Sequence, residues 1–425
     1  MKINDAISFI ENGKLDEKLL DIYVAKNKLD SQRERYIKLL YSFEENFGDK
    51  DISIISAPGR TEIGGNHTDH QNGIVLSGAI NLDVISVTEK TDDNFITIIS
   101  DGRKINIIRT DDLEMKTYEK GTSESLVKGV LWKLNKLGYK LGGFNAYMTS
   151  DVLIGSGLSS SAAFENLIGS IISELFNSGK IDPVTIAKTS QFAEKVYYGK
   201  PCGLMDQMAS SIGGVIKIDF KDTENPEYEK IDFDLEKYKN SLCIIDTKAS
   251  HEGLTDEYSA IPYEMGEIAQ FFGKNVLREV DEDLFYENIN VLREKFGDRA
   301  VLRTIHFFQE DRRVINEVKS LLDDDFESFK YYFKKSANSS FKYLQNIYSS
   351  SNIENQSVSL ALAISGKHLQ NNGVARVHGG GFAGTIQAFV NDDYVETYKS
   401  IMEKVFGTDS CLILKIRKYG TIKVL

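Results

Sequence analysis

The sequence is sparing in the residues that staple, break or embed a chain. Cys202, Cys243 and Cys411 are its only cysteines and show no short metal-type spacing, so neither a disulfide framework nor a zinc site is supported and reduced thiols are expected. No run of 18 apolar residues is present, which excludes an ordinary membrane-spanning helix. The first 30 residues mix Asp, Glu and Lys instead of forming a basic patch before an apolar segment, so a cytosolic protein is expected. Excess basic charge is missing too. A formal net charge of −12 argues against general binding to nucleic acid or anionic membrane, and any anion site must be local and preorganised. No 20- to 50-residue repeat is evident. What remains, with 41% hydrophobic residues, 27% charged and five prolines, is an ordinary globular chain of 425 residues, long enough for two domains with a core each.

The most informative stretch is Asp151 to Ser170, DVLIGSGLSSSAAFENLIGS. Before it, Phe144, Ala146 and Met148 alternate with Asn145, Tyr147 and Thr149, the period of a half-buried strand. After it, Ala163, Phe164, Leu167, Ile168, Ile171, Ile172 and Leu175 recur at helical spacing and form one core-facing stripe. A helix mouth offers unpartnered N–H groups and the positive end of the macrodipole to an anion. Gly155 and Gly157 allow close approach, and Ser159, Ser160 and Ser161 add hydroxyls for phosphate oxygens or a hard cation. The competing reading is a glycine turn with serine capping, but capping needs only one hydroxyl. A P-loop is excluded because no Gly-Lys-Ser/Thr is present. A dinucleotide fingerprint would lack its third glycine, and Glu174, at the spacing of its ribose-binding acid, falls within the helix.

Residues 1 to 47 read as helical up to Gly48, and ISIIS from Ile52 as a short buried strand. It runs into APGRTEIGGNHTDHQNG at Ala57–Gly73, read as a loop that sets Arg60, Glu62, Asn66, His67, Asp69 and His70 among four glycines. Such density suits recognition of several hydroxyls. Further strands are expected at IVLSGAINLDVISVTEK, FITIIS, KINIIRT, VIKIDF, SLCIIDTK, TIQAFV and CLILKIRKYG. A helix capped by Asp182 and Pro183 is expected to reach about Tyr198, and mostly helical chain to follow Asp256. The domain boundary is placed near residue 220.

GRTEIGGNHTDHQNG resembles the signature of galactokinases, and GSGLSSSA resembles the phosphate loop of the wider GHMP kinase superfamily. PCGLMDQMAS at Pro201–Ser210 resembles the galactokinase segment bearing the catalytic aspartate, and ARVHGGGFAG at Ala375–Gly384 its C-terminal glycine motif. Four motifs in the family's order are far more specific than one glycine pattern.

The resemblance implies a two-lobed α+β fold. Residues 1–220 would form an N-terminal lobe like ribosomal S5 domain 2 with an extra helical segment, and residues 221–425 a ferredoxin-like helical and sheet lobe. It further implies ATP-dependent phosphorylation of a sugar's anomeric hydroxyl in the cleft between lobes. By correspondence Asp206 is the catalytic base and Arg60 its partner. Asn66, His67, Asp69, Gly203 and Tyr258 bind the sugar, and Gly155, Ser156, Gly157, Leu158, Ser159, Ser160 and Ser161 bind ATP. Ser160 and Glu194 would hold Mg2+. The expected partners are a small sugar and ATP, without nucleic acid or membrane, and the expected state is a monomer.

The pattern breaks in places. Family members usually carry Glu where Asn66 stands, contacting the sugar's C6 hydroxyl, and Tyr where His70 stands. The lost carboxylate weakens repulsion of a C6 acid, so galacturonate or another C6 or C4 variant is the alternative to galactose. Ala383 replaces a usual glycine and His378 a small hydroxyl residue, while Arg376 is left open between a phosphate and surface acids. From other classes, a non-catalytic sugar sensor and a nicotinamide-dependent oxidoreductase remain as rivals.

Overall fold

The computed structural model describes residues 1–153, 157–249 and 253–425. The helical start is three helices, α1 (Ile3–Glu11), α2 (Asp16–Tyr23) and α3 (Leu29–Phe47). Val24 ends α2 in the left-handed region at φ 51°, and Gly48 ends α3 at φ 81°. Their apolar stripes, including Ile10, Leu19, Leu40 and Phe43, cover Ile54, Ile85 and Val87 of the sheet beneath. One buried acid lies under this cap. Asp83 accepts from Tyr23 Oη at 2.8 Å, Arg35 Nη1 at 2.7 Å and Arg417 Nη1 at 3.1 Å, so its charge is paired from three sides.

The strands are β1 (Ser53–Gly64), β2 (Ile74–Lys90), β3 (Phe95–Ser100), β4 (Arg103–Lys104), β5 (Ile108–Arg109), β6 (Phe144–Ser150), β7 (Val215–Asp219), β8 (Glu227–Ile231), β9 (Asn240–Asp246), β10 (Gly373–Val377), β11 (Thr385–Asn391), β12 (Cys411–Leu414) and β13 (Ile422–Lys423). A nine-stranded sheet runs β13-β1-β2-β6-β3-β4, with β5 on β3 and the β7–β8 hairpin on the first half of β2. A four-stranded antiparallel sheet runs β10-β11-β9-β12.

Two expectations change. The stretch from Ala57 is strand as far as Gly64, because β2 is long enough to pair with all of β1. The Pro and Gly signals are absorbed as register shifts at Pro58/Arg60 and Glu62/Gly64. The charged segment after residue 220 contains β8, whose exposed polar residues conceal an edge strand. The chain therefore leaves the first sheet after Ile231 and meets it again from Lys415 to Arg417, ahead of β13, and we propose the change of lobe between Ile231 and Asn240 in place of residue 220.

Helices α4 (Ser123–Lys136), α5 (Ser160–Phe176), α6 (Pro183–Phe192) and α7 (Met205–Ile212) carry the first lobe's other apolar faces. Asp182 caps α6 by accepting from Thr185 N at 2.9 Å, and the helix widens into a π-turn over Ala193–Tyr198. On α5 the stripe Ala163, Leu167, Ile168, Ile171 and Ile172 is buried in the largest core cluster. Beyond the second sheet's first strand come α8 (Thr255–Phe271) and the long helix Asp298–Leu322. In the following helix, Phe326–Ser339, Phe326, Phe329 and Phe333 pack with Phe233 and Phe389, whereas Tyr331 is exposed. Among the described residues no helix is long and apolar enough to cross a membrane.

Candidate active site

A cavity of about 360 Å³ lies where β1, the mouth of α5, the start of α7 and the glycine motif after β10 converge. Arg60 sits on β1 at the first register shift and Asp206 in the first turn of α7. They form a two-point ion pair, Arg60 Nε to Asp206 Oδ1 at 2.6 Å and Nη2 to Oδ2 at 2.7 Å. The third arm, Nη1, donates to the carbonyl of Gly157, tying the pair to the segment that leads into α5. Burial alone would raise the Asp206 pKa, but the Arg60 guanidinium, with Ser159's hydroxyl, holds it below the usual carboxylate range. Its side chain stays 31% exposed, so the carboxylate faces the cavity.

Ser159 stands at the N-cap of α5 at φ 59°, a left-handed conformation that costs a non-glycine residue free energy. Its hydroxyl makes no capping bond and donates to Asp206 Oδ2 instead. Serine capping therefore does not describe this loop, and the first-turn N–H groups of α5 keep their anion-binding character. Gly157 at φ 72° packs on Thr385 and His378, which a Cβ would approach to 3.2 and 3.3 Å. His378 is a brace: Nδ1 lies 3.0 Å from Thr385 Oγ1 and Nε2 3.4 Å from the N–H of Glu62. Burial lowers its pKa to about 3, so it is neutral. Gly155 and Ser156 lie outside the described residues, whereas Leu158 is buried in the first core.

Glu194, on the π-turn, is buried. Its Oε1 receives Ser161 Oγ at 3.0 Å and Lys200 Nζ at 3.0 Å, and its Oε2 receives Gln207 Nε2 at 2.8 Å. Ser160 lines the cavity, but the hydroxyl that bonds Glu194 is that of its neighbour Ser161. Carboxylate and hydroxyl oxygens beside the cavity suit a hard divalent cation.

Asp69 accepts from the N–H of His70 at 2.9 Å, and its other oxygen lies on Gly203, where an added Cβ would sit only 1.8 Å away. Burial, then the charge of Asp206, raises the Asp69 pKa to about 6. His67, at φ 56°, sets Nε2 2.9 Å from the carbonyl of Gly380, and burial lowers its pKa to about 4. Tyr258 on α8 donates to the carbonyl of Gly381 at 2.8 Å and meets Phe382 edge to face.

Asn66 is placed otherwise than expected. It is fully buried, and Nδ2 donates to Glu62 Oε1 at 3.0 Å and to the carbonyl of Gly379 at 2.8 Å. Oδ1 accepts from Asn346 Nδ2 at 2.9 Å and Ser340 Oγ at 3.2 Å. This leaves no polar atom for a sugar hydroxyl; Asn66 locks the loop to the glycine motif. Glu62 in turn pairs with Arg376 Nη2 at 2.6 Å, and Arg376 Nη1 reaches the carbonyl of Ile63 at 2.8 Å. Arg376 is thus a buried bolt between β1 and β10, meeting neither a phosphate nor surface acids. The pairing of Glu62 with Arg376, and of Asn66 with Asn346 and His306, whose Nε2 meets the carbonyl of Asn66 at 2.8 Å, was not legible in the sequence because these partners lie more than 200 positions apart.

Comparison with known proteins bears on the family. Residues 41–90 match the galactokinase galactose-binding signature and residues 125–214 the GHMP kinases N terminal domain. The chain is 32% identical over 368 residues to a galactokinase of Thermotoga petrophila, covering 84% of this chain and 95% of that one. It is 29% identical over 379 residues to a galactokinase of Limosilactobacillus fermentum, covering 87% and 93%. Among solved structures, the Lactococcus lactis galactokinase complexed with galactose superposes with a TM-score of 0.76 at 22% identity, over 90% of this chain and 98% of that one. A Methanococcus jannaschii mevalonate kinase gives 0.58 at 16%, over 86% and 98%. These neighbours share the two-lobed α+β fold, and the sequence relatives settle the lineage: the chain belongs to the galactokinase family of the GHMP kinases.

Proposed function

We propose that the protein transfers the γ-phosphoryl group of ATP to the anomeric hydroxyl of galactose, giving galactose 1-phosphate and ADP. The observation that carries this reading is the Arg60–Asp206 pair, joined through Ser159 and Gly157 to a helix mouth in one cavity. Phosphoryl transfer asks for in-line positioning and neutralisation of charge, and the residues supply both.

In this reading Asp206, ionised at neutral pH, accepts the proton of the C1 hydroxyl as that oxygen attacks the γ-phosphorus, and the bond to ADP breaks on the far side. Arg60 keeps the base charged and offsets negative charge on the moving group. Asp69, His67, Tyr258 and the backbone at Gly203 orient the sugar. The α5 mouth from Gly157 to Ser161 holds the phosphates, continuous with Gly155 and Ser156. Glu194, with the Ser160 and Ser161 hydroxyls, would hold Mg2+, and the ion would supply positive charge that offsets the repulsion between the phosphates and the incoming hydroxyl. We propose that the sugar lies in the cleft between lobes.

Initial rates with ATP on galactose, galacturonate, glucose and arabinose test the proposal. Phosphorylation of galactose above the others is expected. Preference for galacturonate would move the assignment to a C6-acid kinase, and turnover of none would leave a binding protein.

A further inference from the structure

Two cationic side chains line the cavity among the described residues, Arg60 and Lys200, and they differ in what they have left to give. Arg60 is 8% exposed, its fork closed on Asp206 and its third arm on Gly157. Lys200 has a side chain 60% exposed, with Glu194 Oε1 at 3.0 Å as its partner. An ammonium group carries three donors, so two remain for a ligand.

The backbone beneath Lys200 is pinned. The N–H groups of Gly199 and Lys200 both donate to the carbonyl of Glu194 at 3.1 Å, closing the π-turn, and Gly199 takes φ 89° to make the reversal. A fixed backbone therefore carries a flexible four-carbon stem whose head shares Glu194 Oε1 with the Ser161 hydroxyl of the α5 mouth. A polyphosphate entering a protein of net charge −12 needs local cations, and Arg60 is already engaged.

We propose that Lys200 is a nucleotide-binding residue, whose ammonium, anchored on Glu194, bonds oxygens of the polyphosphate tail as the tail settles on the α5 mouth. The assignment rests on the ATP-dependent reading above. Because Lys200 also contacts the acid expected to hold Mg2+, it gives the tail a tethered cation that is present before any metal arrives.

The test measures binding of ATP and AMP to the intact protein by titration calorimetry in EDTA, for the wild type and for Lys200→Met, Lys200→Gln and Lys200→Arg. Thermal unfolding serves as the fold check. The wild type is expected to bind ATP without metal. Lys200→Met and Lys200→Gln should weaken ATP by about tenfold or more while leaving AMP within about twofold, and Lys200→Arg should recover most of the loss. The ATP affinity of Lys200→Met should also fall less steeply with salt. Equal ATP affinity in wild type and Lys200→Met, or equal losses for ATP and AMP, would overturn the inference and leave Lys200 a structural partner of Glu194. Failure of the wild type to bind ATP even with Mg2+ would instead sink the kinase reading itself.

Discussion

Restoring the family's glutamate at position 66 should damage this protein. In Asn66→Glu the amide that donates to Glu62 Oε1 at 3.0 Å and to the Gly379 carbonyl at 2.8 Å becomes a carboxylate facing two acceptors. Two like charges about 3 Å apart repel by about 5 kcal/mol at an effective dielectric of about 20. The variant has a cheaper route, which is to fold with the introduced carboxyl protonated. At pH 7 that costs about 1.36 kcal/mol for each unit above an ordinary pKa of about 4.3, roughly 4 kcal/mol. With an unfolding entropy of about 2.1 cal/mol/K per residue, this corresponds to a drop of about 4 °C in Tm, and the extra methylene adds to it. The penalty should shrink to about 1 kcal/mol at pH 5. Differential scanning fluorimetry of wild type and variant across pH 5 to 8 measures both. An Asn66→Glu protein with wild-type Tm at pH 7 would refute the buried-network account.

Other outcomes follow from the same contacts. Gly203→Ala should raise the sugar KM at least tenfold with little change in nucleotide affinity, because the new methyl would fall 1.8 Å from Asp69 Oδ2 and displace that carboxylate; steady-state kinetics on both substrates checks it. Asp69, raised to about 6, loses its acceptor charge as pH falls through that value, so the sugar KM should rise below pH 6, and Asp69→Asn should remove the break in a pH series. Glu317 is buried with both carboxyl oxygens unpartnered, and burial raises its pKa well above 4.5. A carboxyl raised on folding contributes stability below its unfolded pKa and loses it as pH rises toward the folded one. Glu317→Gln should therefore gain on the wild type by up to about 1.4 kcal/mol per pH unit above pH 5, measured by denaturant melts.

What the sequence disclosed was local. The alternation at Phe144–Thr149 and the stripe on α5 gave strand and helix because each pattern reports burial along a single element. Arg60 and Asp206 were legible as motif members, and so was the serine-rich mouth. Longer reach was invisible. Pro58 and Gly59 read as loop because nothing in those letters reveals that β2 runs alongside, and Glu227–Ile231 read as a charged connection because an exposed edge strand has no apolar face to betray it. Asn66 looked like a sugar ligand because its four partners come from four places, Glu62, Ser340, Asn346 and Gly379, which only the folded chain assembles. Lys200 carried a faint signal, a lysine between Gly199 and Pro201 just ahead of the aspartate motif, but its meaning depends on Glu194 lying beneath it.

The most direct measurement of the central claim is single-turnover phosphoryl transfer from ATP to galactose by Asp206→Asn, alongside binding of both substrates. Asparagine keeps the side chain's shape and removes the proton acceptor, so transfer should fall by about 10²- to 10⁴-fold while the protein still folds and binds both ligands. Transfer near the wild-type rate in a folded Asp206→Asn protein would contradict the account.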